Sequence, residues 1–282
     1  MSRTMLTLAL APALALIVLV RPPRPATAVT ISPTAIYLSN RDRAATFELY
    51  NGGDSPAEVE LSVAYGYPVS DSLGRVDVRI LDTVPSGEPS AAAWLRLDPQ
   101  RVLLQPKQRQ LVRVDVDPPP AIPVGEYWAR LLVRSRTGLF PASPAGEAAS
   151  ENGPRTRMRI ETLSITALNY RNGSVTSGVQ VDSARARTTD SSASLTLDLQ
   201  RSGNAAFLGR LTVELRSTKG QVLDEVSEDV AVYRTLRRVF TFSRPDRSAS
   251  TFRYRLTTDR DDLDPGVVTH AEPVLGQVRF AP

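Results

Sequence analysis

The chain is 282 residues long, with a formal net charge of +4, a single histidine and no cysteine. That length suits two domains of about 110 to 130 residues, each able to bury a core of its own. The lack of cysteine excludes disulfide staples, thiol catalysis and the common Cys-containing zinc sites, so stability has to come from packing.

Met5 to Val20 is a nearly continuous apolar run without charge, bracketed by Arg3 and Arg21-Pro22-Pro23-Arg24-Pro25 and followed by Ala26-Thr27-Ala28. A positive start, a short apolar stretch and small residues predict a secretory signal peptide over 1–28, cleaved after Ala28. The competing membrane anchor would need roughly 20 apolar residues. Without Arg3, Arg21 and Arg24 the net charge falls to about +1, which makes nucleic acid a poor partner.

From Val29 onward, apolar residues alternate with polar ones in short runs. Val59-Leu61-Val63-Tyr65, Val76-Val78-Ile80, Val112-Val114-Val116 and Leu131-Val133 mark strands in the first half. Leu195-Leu197-Leu199, Leu211-Val213-Leu215, Val230-Val232, Phe240-Phe242 and Phe252-Tyr254-Leu256 mark them in the second. Turn-formers separate the runs at Asn51-Gly52-Gly53-Asp54, Ser72-Leu73-Gly74, Asp117-Pro118-Pro119-Pro120, Ser202-Gly203-Asn204 and Lys219-Gly220. Apart from the leader, no window of comparable length has a helical period. The expected fold is all-β, with two immunoglobulin-like β-sandwich domains over 29–171 and 172–282 after the cleaved signal peptide. Thr137 to Thr156, rich in Pro, Ala, Ser and Gly, reads as a mobile loop. Arg157 to Tyr170 reads as a strand, and Asn172-Gly173-Ser174 as the hinge.

The sequence offers little catalytic chemistry. His270, the one histidine, stands between Thr269 and Ala271 and reads as a filler rather than a general base. Neither G-x-S-x-G nor a phosphate-binding Gly-rich loop leads into a helix. The acidic run Asp259 to Asp264 lacks the glycine of an EF-hand and reads as a solvated turn or an ion-pair partner. No enzymatic activity, metal or small-molecule cofactor is expected. Function must be sought in surfaces and strand edges.

Ile31-Ser32-Pro33-Thr34, Phe47-Glu48-Leu49-Tyr50-Asn51-Gly52-Gly53, Pro99, Leu104-Gln105-Pro106, Val112-Arg113-Val114, Glu126-Tyr127-Trp128-Ala129-Arg130-Leu131 and Tyr170-Arg171 succeed one another in the first half. In this order they resemble the first domain of the PapD-like periplasmic chaperones of pilus and fimbrial assembly. Ser202-Gly203-Asn204 is similar to an asparagine turn of that family's second domain. The resemblance implies a periplasmic chaperone that lends the last strand of its first domain to an incomplete secreted pilus-type subunit by β-augmentation. An outer-membrane usher is the second partner it implies. The matching strand carries Met158 and Ile160 on one parity and Leu163, Ile165 and Ala167 on the other, a phase change near Thr162. This predicts either a bulge there or a strand of which only half faces a client. The alternative for Leu163, Ile165 and Ala167 is that they fill the first domain's own core.

The family holds its client's terminal carboxylate with two basic residues, at positions that here fall on Ala35 and Ala167. Arg41, Arg43 or Arg171 would have to substitute for them. Glu126 and Arg171 match an interdomain charge network, with Asp259 or Asp261 as its third member. The missing basic pair favours a rival reading, a structural or scaffold protein of the cell envelope that keeps the fold without chaperoning. Client identity and oligomeric state are not legible at this level.

Overall fold

In a computed structural model the chain is described over residues 29–141, 157–243, 249–260, 262–263 and 266–280. The expected signal peptide, residues 142–156 of the expected loop, and Asp261 lie outside the described residues.

The period-2 runs of the first half form two facing sheets. One takes β1 (Val29–Ser32), β3 (Ala44–Asn51), β8 (Arg109–Val116) and β6 (Leu95–Asp98), side by side in that order. The other runs β2 (Ala35–Ser39), β11 (Arg157–Asn172), β10 (Arg130–Pro141), β4 (Ala57–Ser70), β5 (Val76–Leu81). β7 (Arg101–Leu104) pairs with β4, and β9 (Gly125–Tyr127) pairs with β11. Alternation turns Phe47, Leu49, Val59, Leu61, Val112, Val114, Leu131, Val133, Leu168 and Tyr170 into one core. Each such side chain contributes about 1.5–3 kcal/mol by leaving water. The alternation of Val76, Val78 and Ile80 marks a strand but not this core, because β5 is the outer strand of its sheet and reaches toward the second sandwich.

One end of this sandwich is closed by Asn51. Its side chain is fully buried, and Nδ2 donates to the carbonyls of Ser55 (2.8 Å), Leu104 (3.1 Å) and Gln105 (3.2 Å). Oδ1 accepts from the Gly53 amide at 3.0 Å. One amide side chain therefore clasps the turn after β3 to the turn after β7.

The second half repeats the plan with fewer strands. β12 (Ser177–Thr188), β13 (Ser192–Gly203) and β16 (Thr235–Ser243) form one sheet. β15 (Val222–Val232), β14 (Phe207–Ser217), β17 (Ala249–Thr257) and β18 (Val274–Arg279) form the other. Leu195, Leu197, Leu199, Leu211, Val213, Leu215, Phe240, Phe242, Phe252 and Leu256 make up its separate core.

Two corrections concern the expected loop and bulge. Thr137 to Pro141 is strand, not loop, because β10 continues to pair with β11 as far as Arg157, and pairing overrides a loop-like composition. The register irregularity falls between Thr137 and Leu139 on β10, where Gly138 tolerates the extra residue, while β11 is unbroken at Thr162.

The sandwiches meet at two places. A third apolar cluster, with Tyr65 and Trp128 from the first half and Ala206, Leu208, Tyr233 and Val267 from the second, fills the angle between them. Farther out, the hairpin of β4 and β5 straps onto β16. Ser70 Oγ accepts the Arg237 amide at 2.6 Å, and the Arg238 guanidinium donates to the Gly74 carbonyl. Gly74 has φ +77°, and a Cβ there would lie 2.6 Å from the Val239 nitrogen, so both conformation and space require glycine.

The strap rests on Arg237, whose guanidinium holds Asp198 at 2.6 Å; Ser183 and Arg185 bond the same carboxylate. The Arg237 hydrogen bond, helped by those of Ser183 and Arg185, pulls the Asp198 carboxyl far below the usual carboxylate range. A depressed native value adds stability above the unfolded pKa of about 4 that is lost as pH falls below it. Asp198→Asn is therefore expected to lower the thermal midpoint at neutral pH, with the gap to the parent narrowing as pH falls below about 4. A pH series of melting curves checks it, and a gap independent of pH would contradict it.

Candidate functional site: an open strand edge and the cleft beside it

β11 has a neighbour on both sides only over part of its length. On one side β10 pairs with it from Arg157 to Ala167. On the other, β2 pairs with it in parallel from Ala167 to Arg171. Among the described residues no strand covers that second side over 157–166. Along this stretch every second residue thus turns its backbone donor and acceptor to an uncovered side, a template for another strand.

The side chains along this edge divide by parity. Thr166, Leu168 and Tyr170 are buried, and Leu168 and Tyr170 belong to the first core. Leu163, Ile165 and Ala167 share the opposite face and are absent from that core; Leu163 is 50 % exposed. Core packing is therefore not what these three do. They stand opposite Arg134, Leu132 and Arg130 of β10. Ile160 is half-buried on the core-side parity beyond the end of the core, and Met158 pairs with Phe140 of β10. The expected client residues thus lie along one strand, Ile160 on one face of it and Leu163, Ile165 and Ala167 on the other.

Where β2 takes over from the open edge, the outer face runs into the cleft. Glu126 is buried, its carboxylate held by Arg171 Nε (2.9 Å), Trp128 Nε1 (3.1 Å) and the Ala206 amide (3.3 Å). The Glu126 amide donates to the Asn204 carbonyl at 2.9 Å. Arg171 spends its other nitrogens on the carbonyls of Gly266 (3.0 Å) and Val267 (2.6 Å), and its guanidinium lies 4.4 Å from the centre of the Tyr37 ring. Glu126 and Arg171 are the pair expected from the sequence, and together they join the two sandwiches. Of the two acids expected as the third member, Asp261 lies outside the described residues. Asp259 is exposed, and carbonyls of the 266–267 turn occupy the place it was expected to fill, since a guanidinium with one carboxylate already paired needs only acceptors. The acidic run instead gives Asp262 to Arg260, which also lies 3.6 Å from Asp229.

The hinge is pinned by side chains. Asn172 Nδ2 donates to the carbonyls of Ile122 and Pro123, and its Oδ1 accepts from Asn40. Asn204 Oδ1 accepts the Thr176 amide at 2.7 Å. Gly203, at φ +80°, leaves no room for a Cβ, which would meet the Thr176 carbonyl at 2.4 Å.

Deeper in the cleft lies a group the sequence did not single out. Trp128 packs edge-on against Tyr233 at 5.0 Å between ring centres, and Arg201 lies over its ring. Tyr65 donates to Glu88 at 2.6 Å, and burial pushes its hydroxyl up to about 12. Burial, then Tyr233 and Glu126, hold the Tyr37 hydroxyl well above the ordinary phenol value. Arg130, only 4 % exposed, stacks on Tyr233 at 4.6 Å and donates one hydrogen bond, to the Tyr233 hydroxyl at 3.2 Å. Asn169 donates to the same hydroxyl. The basic residues considered from the sequence do not stand at Ala35 and Ala167. Arg41 and Arg43 are exposed beyond the far end of β2, and Arg171 is committed to Glu126.

No family model and no curated protein matches the sequence. Among solved structures the chain is similar to the CupB2 chaperone of Pseudomonas aeruginosa, at 13 % identity over 89 % of this chain and 100 % of that one, with a TM-score of 0.41. It is similar to the YadV chaperone, at 10 % identity over 89 % and 99 %, with a TM-score of 0.46. A third is the SafB chaperone of Salmonella enterica in complex with the SafA pilin, at 14 % identity over 89 % and 96 %, with a TM-score of 0.42.

Proposed function

We propose that the protein is an exported, periplasmic chaperone of the PapD-like kind, with domains over 29–171 and 172–282, that binds an extended segment of a secreted pilus-type subunit by strand addition. The observation that carries this reading is the open β11 edge over 157–166, ending at the cleft. An added strand would gain main-chain hydrogen bonds along the edge, while apolar side chains at 160, 163 and 165 supply surface to either face of the joint sheet. Contacts of Arg171 and Glu126 with the second sandwich, and of Arg238 with Gly74, fix that sandwich beside the edge, so the template is presented without an ordering cost at each binding event. The motif order in the first half supports the subunit class.

The test uses protein beginning at Val29 and a fluorescent probe peptide of about eleven residues alternating Val and Thr, long enough to span the edge. Anisotropy should report binding by the parent and at least about a tenfold loss when Ile160 and Ile165 are both changed to Asp, since carboxylates in the joint sheet would be desolvated. Equal binding by the two proteins, or none by the parent, would count for the envelope scaffold instead.

A further inference from the structure

The far end of the second sandwich gathers cations that no acid answers. β14 runs from the interdomain cluster, at Leu208, to a hollow of about 560 Å³ lined by Arg216, Ser217, Thr218, Thr251, Arg253 and Arg279 among others. The hollow and the cleft thus lie at opposite ends of that strand. Among the described residues no carboxylate lines it. The register brings its cations together. Arg216 stands opposite Thr251 on β17, and Thr251 stands opposite Arg279 on β18, so one cross-strand row reads Arg, Thr, Arg. With neighbouring strands about 4.8 Å apart, two arginines flank one hydroxyl, and Arg253 rises from the same face about 7 Å farther along β17.

Arg216 is held in place, its Nε donating to Glu214 Oε2 at 2.6 Å and its Nη1 to the Gly220 carbonyl at 3.0 Å. Arg253 and Arg279 are exposed, and among the described residues neither side chain has an ion pair or a hydrogen bond. Glu225, the next acid on this face, stands opposite Glu214 and therefore two strands away from Arg253. Like charges set side by side repel one another, and an anion between them relieves that repulsion. The backbone is also irregular on both sides of Arg216. Against β15 the register shifts between Leu215 and Arg216, and against β17 between Arg216 and Ser217, where Ser250 is left without a partner. Bulges of this kind re-aim side chains and gather beside functional sites. Ser250 Oγ lies 3.4 Å from Thr251 Oγ1 and brings a second hydroxyl to the hollow.

We propose that this hollow binds the phosphate group of a phosphate monoester, with Arg253 and Arg279 on its oxygens and Arg216 and Thr251 beside them. Charge sets the class. Two unpaired guanidiniums call for about two negative charges, which a phosphate monoester carries near neutral pH and a carboxylate does not. Its three terminal oxygens can accept from arginines on several sides, whereas one bidentate arginine fills a carboxylate. The site is separate from strand addition along β11 and stands whether or not that reading does.

The experiment titrates protein beginning at Val29 with phenyl phosphate and with benzoate by calorimetry. It also sediments the protein with phosphatidylcholine vesicles with and without phosphatidic acid, whose headgroup is a phosphate monoester. Arg253→Gln, Arg279→Gln and Arg255→Gln are compared with the parent; Arg255 is exposed on the same face of β17 but outside the hollow. The parent should bind phenyl phosphate several-fold more tightly than benzoate. Arg253→Gln and Arg279→Gln should each weaken it about tenfold, the range of a lost charge-assisted bond. Arg255→Gln should bind as the parent does, and all four proteins should melt together. Sedimentation with phosphatidic acid that is lost in the same two variants would assign the phosphate to a lipid headgroup, and its absence beside intact phenyl phosphate binding would assign it to a soluble monoester. Failure of the parent to bind either phosphate probe, or binding unaltered in Arg253→Gln and Arg279→Gln, would overturn the site. An equal loss in Arg255→Gln would reduce it to diffuse surface charge, and benzoate bound as tightly as phenyl phosphate would overturn the phosphate class.

Discussion

Replacing Arg171 with Ala is expected to destabilise the protein by about 3–5 kcal/mol, because it leaves the buried Glu126 carboxylate without its cation. The Glu126 side chain has no exposed surface and that of Arg171 is 12 % exposed, so solvent cannot take over the lost contact. The same substitution frees the carbonyls of Gly266 and Val267, which are the ties from the Arg171 side chain to the second sandwich, and removes the cation stacked on Tyr37 of β2. Two readouts should therefore move together. The thermal midpoint should fall by roughly 10 °C for a chain of this size, and small-angle scattering should show a wider distribution of interdomain angles. Adding Glu126→Gln should recover part of the midpoint, since a neutral amide can stay buried at lower cost, but not the scattering profile, since the carbonyl contacts of Arg171 stay lost. A midpoint and profile equal to the parent's would mean that the strap from Ser70 and Gly74 to β16 and the apolar cluster around Trp128 and Tyr233 hold the angle without Arg171.

Asn51→Asp is expected to have an effect of about 3 kcal/mol or more, although the two side chains are nearly isosteric. The amide nitrogen donates to three carbonyls, and a carboxylate oxygen in its place would face the oxygens of Ser55, Leu104 and Gln105 in a fully buried position. Three carbonyls would lose this donor, that of Gln105 keeping the Gln108 amide, and a charge would lose its water. The buried carboxyl would hold its proton more tightly than in the unfolded chain, so the penalty should grow as pH rises above about 4. Urea melts of parent and variant from acid to neutral pH check both the size and the sign. A variant as stable as the parent at neutral pH would show that the turn after β3 is held by its backbone bonds to Lys107 and Gln108.

The strands were legible because burial on one face writes alternation into the chain. Val112-Val114-Val116 and Leu195-Leu197-Leu199 are buried as their spacing implies. Glu126 and Arg171 were legible as a pair through the motif order. Of the two acids expected beside them, Asp261 lies outside the described residues, and Asp259 is exposed while Arg171 bonds backbone carbonyls, which leave no trace in side-chain identity. The phase change near Thr162 was real in the pattern, but its cause is that β11 outruns the core; the bulge itself lies on β10, at a glycine inside a loop-like composition. Arg130 could not be read from the sequence. Beside Leu131 and Val133 it takes the outward parity of a half-buried strand, where an arginine ordinarily meets water, and it is the packing of Tyr233 from the other sandwich that buries it. The closing of the open edge by β2 at Ala167 is likewise a matter of tertiary pairing.

Amide hydrogen exchange of the free protein and of its complex with the Val/Thr peptide bears most directly on strand addition. Amides of 157–166 on the uncovered side of β11 should exchange fast in the free protein and slow markedly on binding, while those of β15, the outer strand of the second sandwich, stay unchanged. Protection confined to β15 or to the loops, with 157–166 unaltered in a bound complex, would show that the client lies elsewhere and that β11 is not the template.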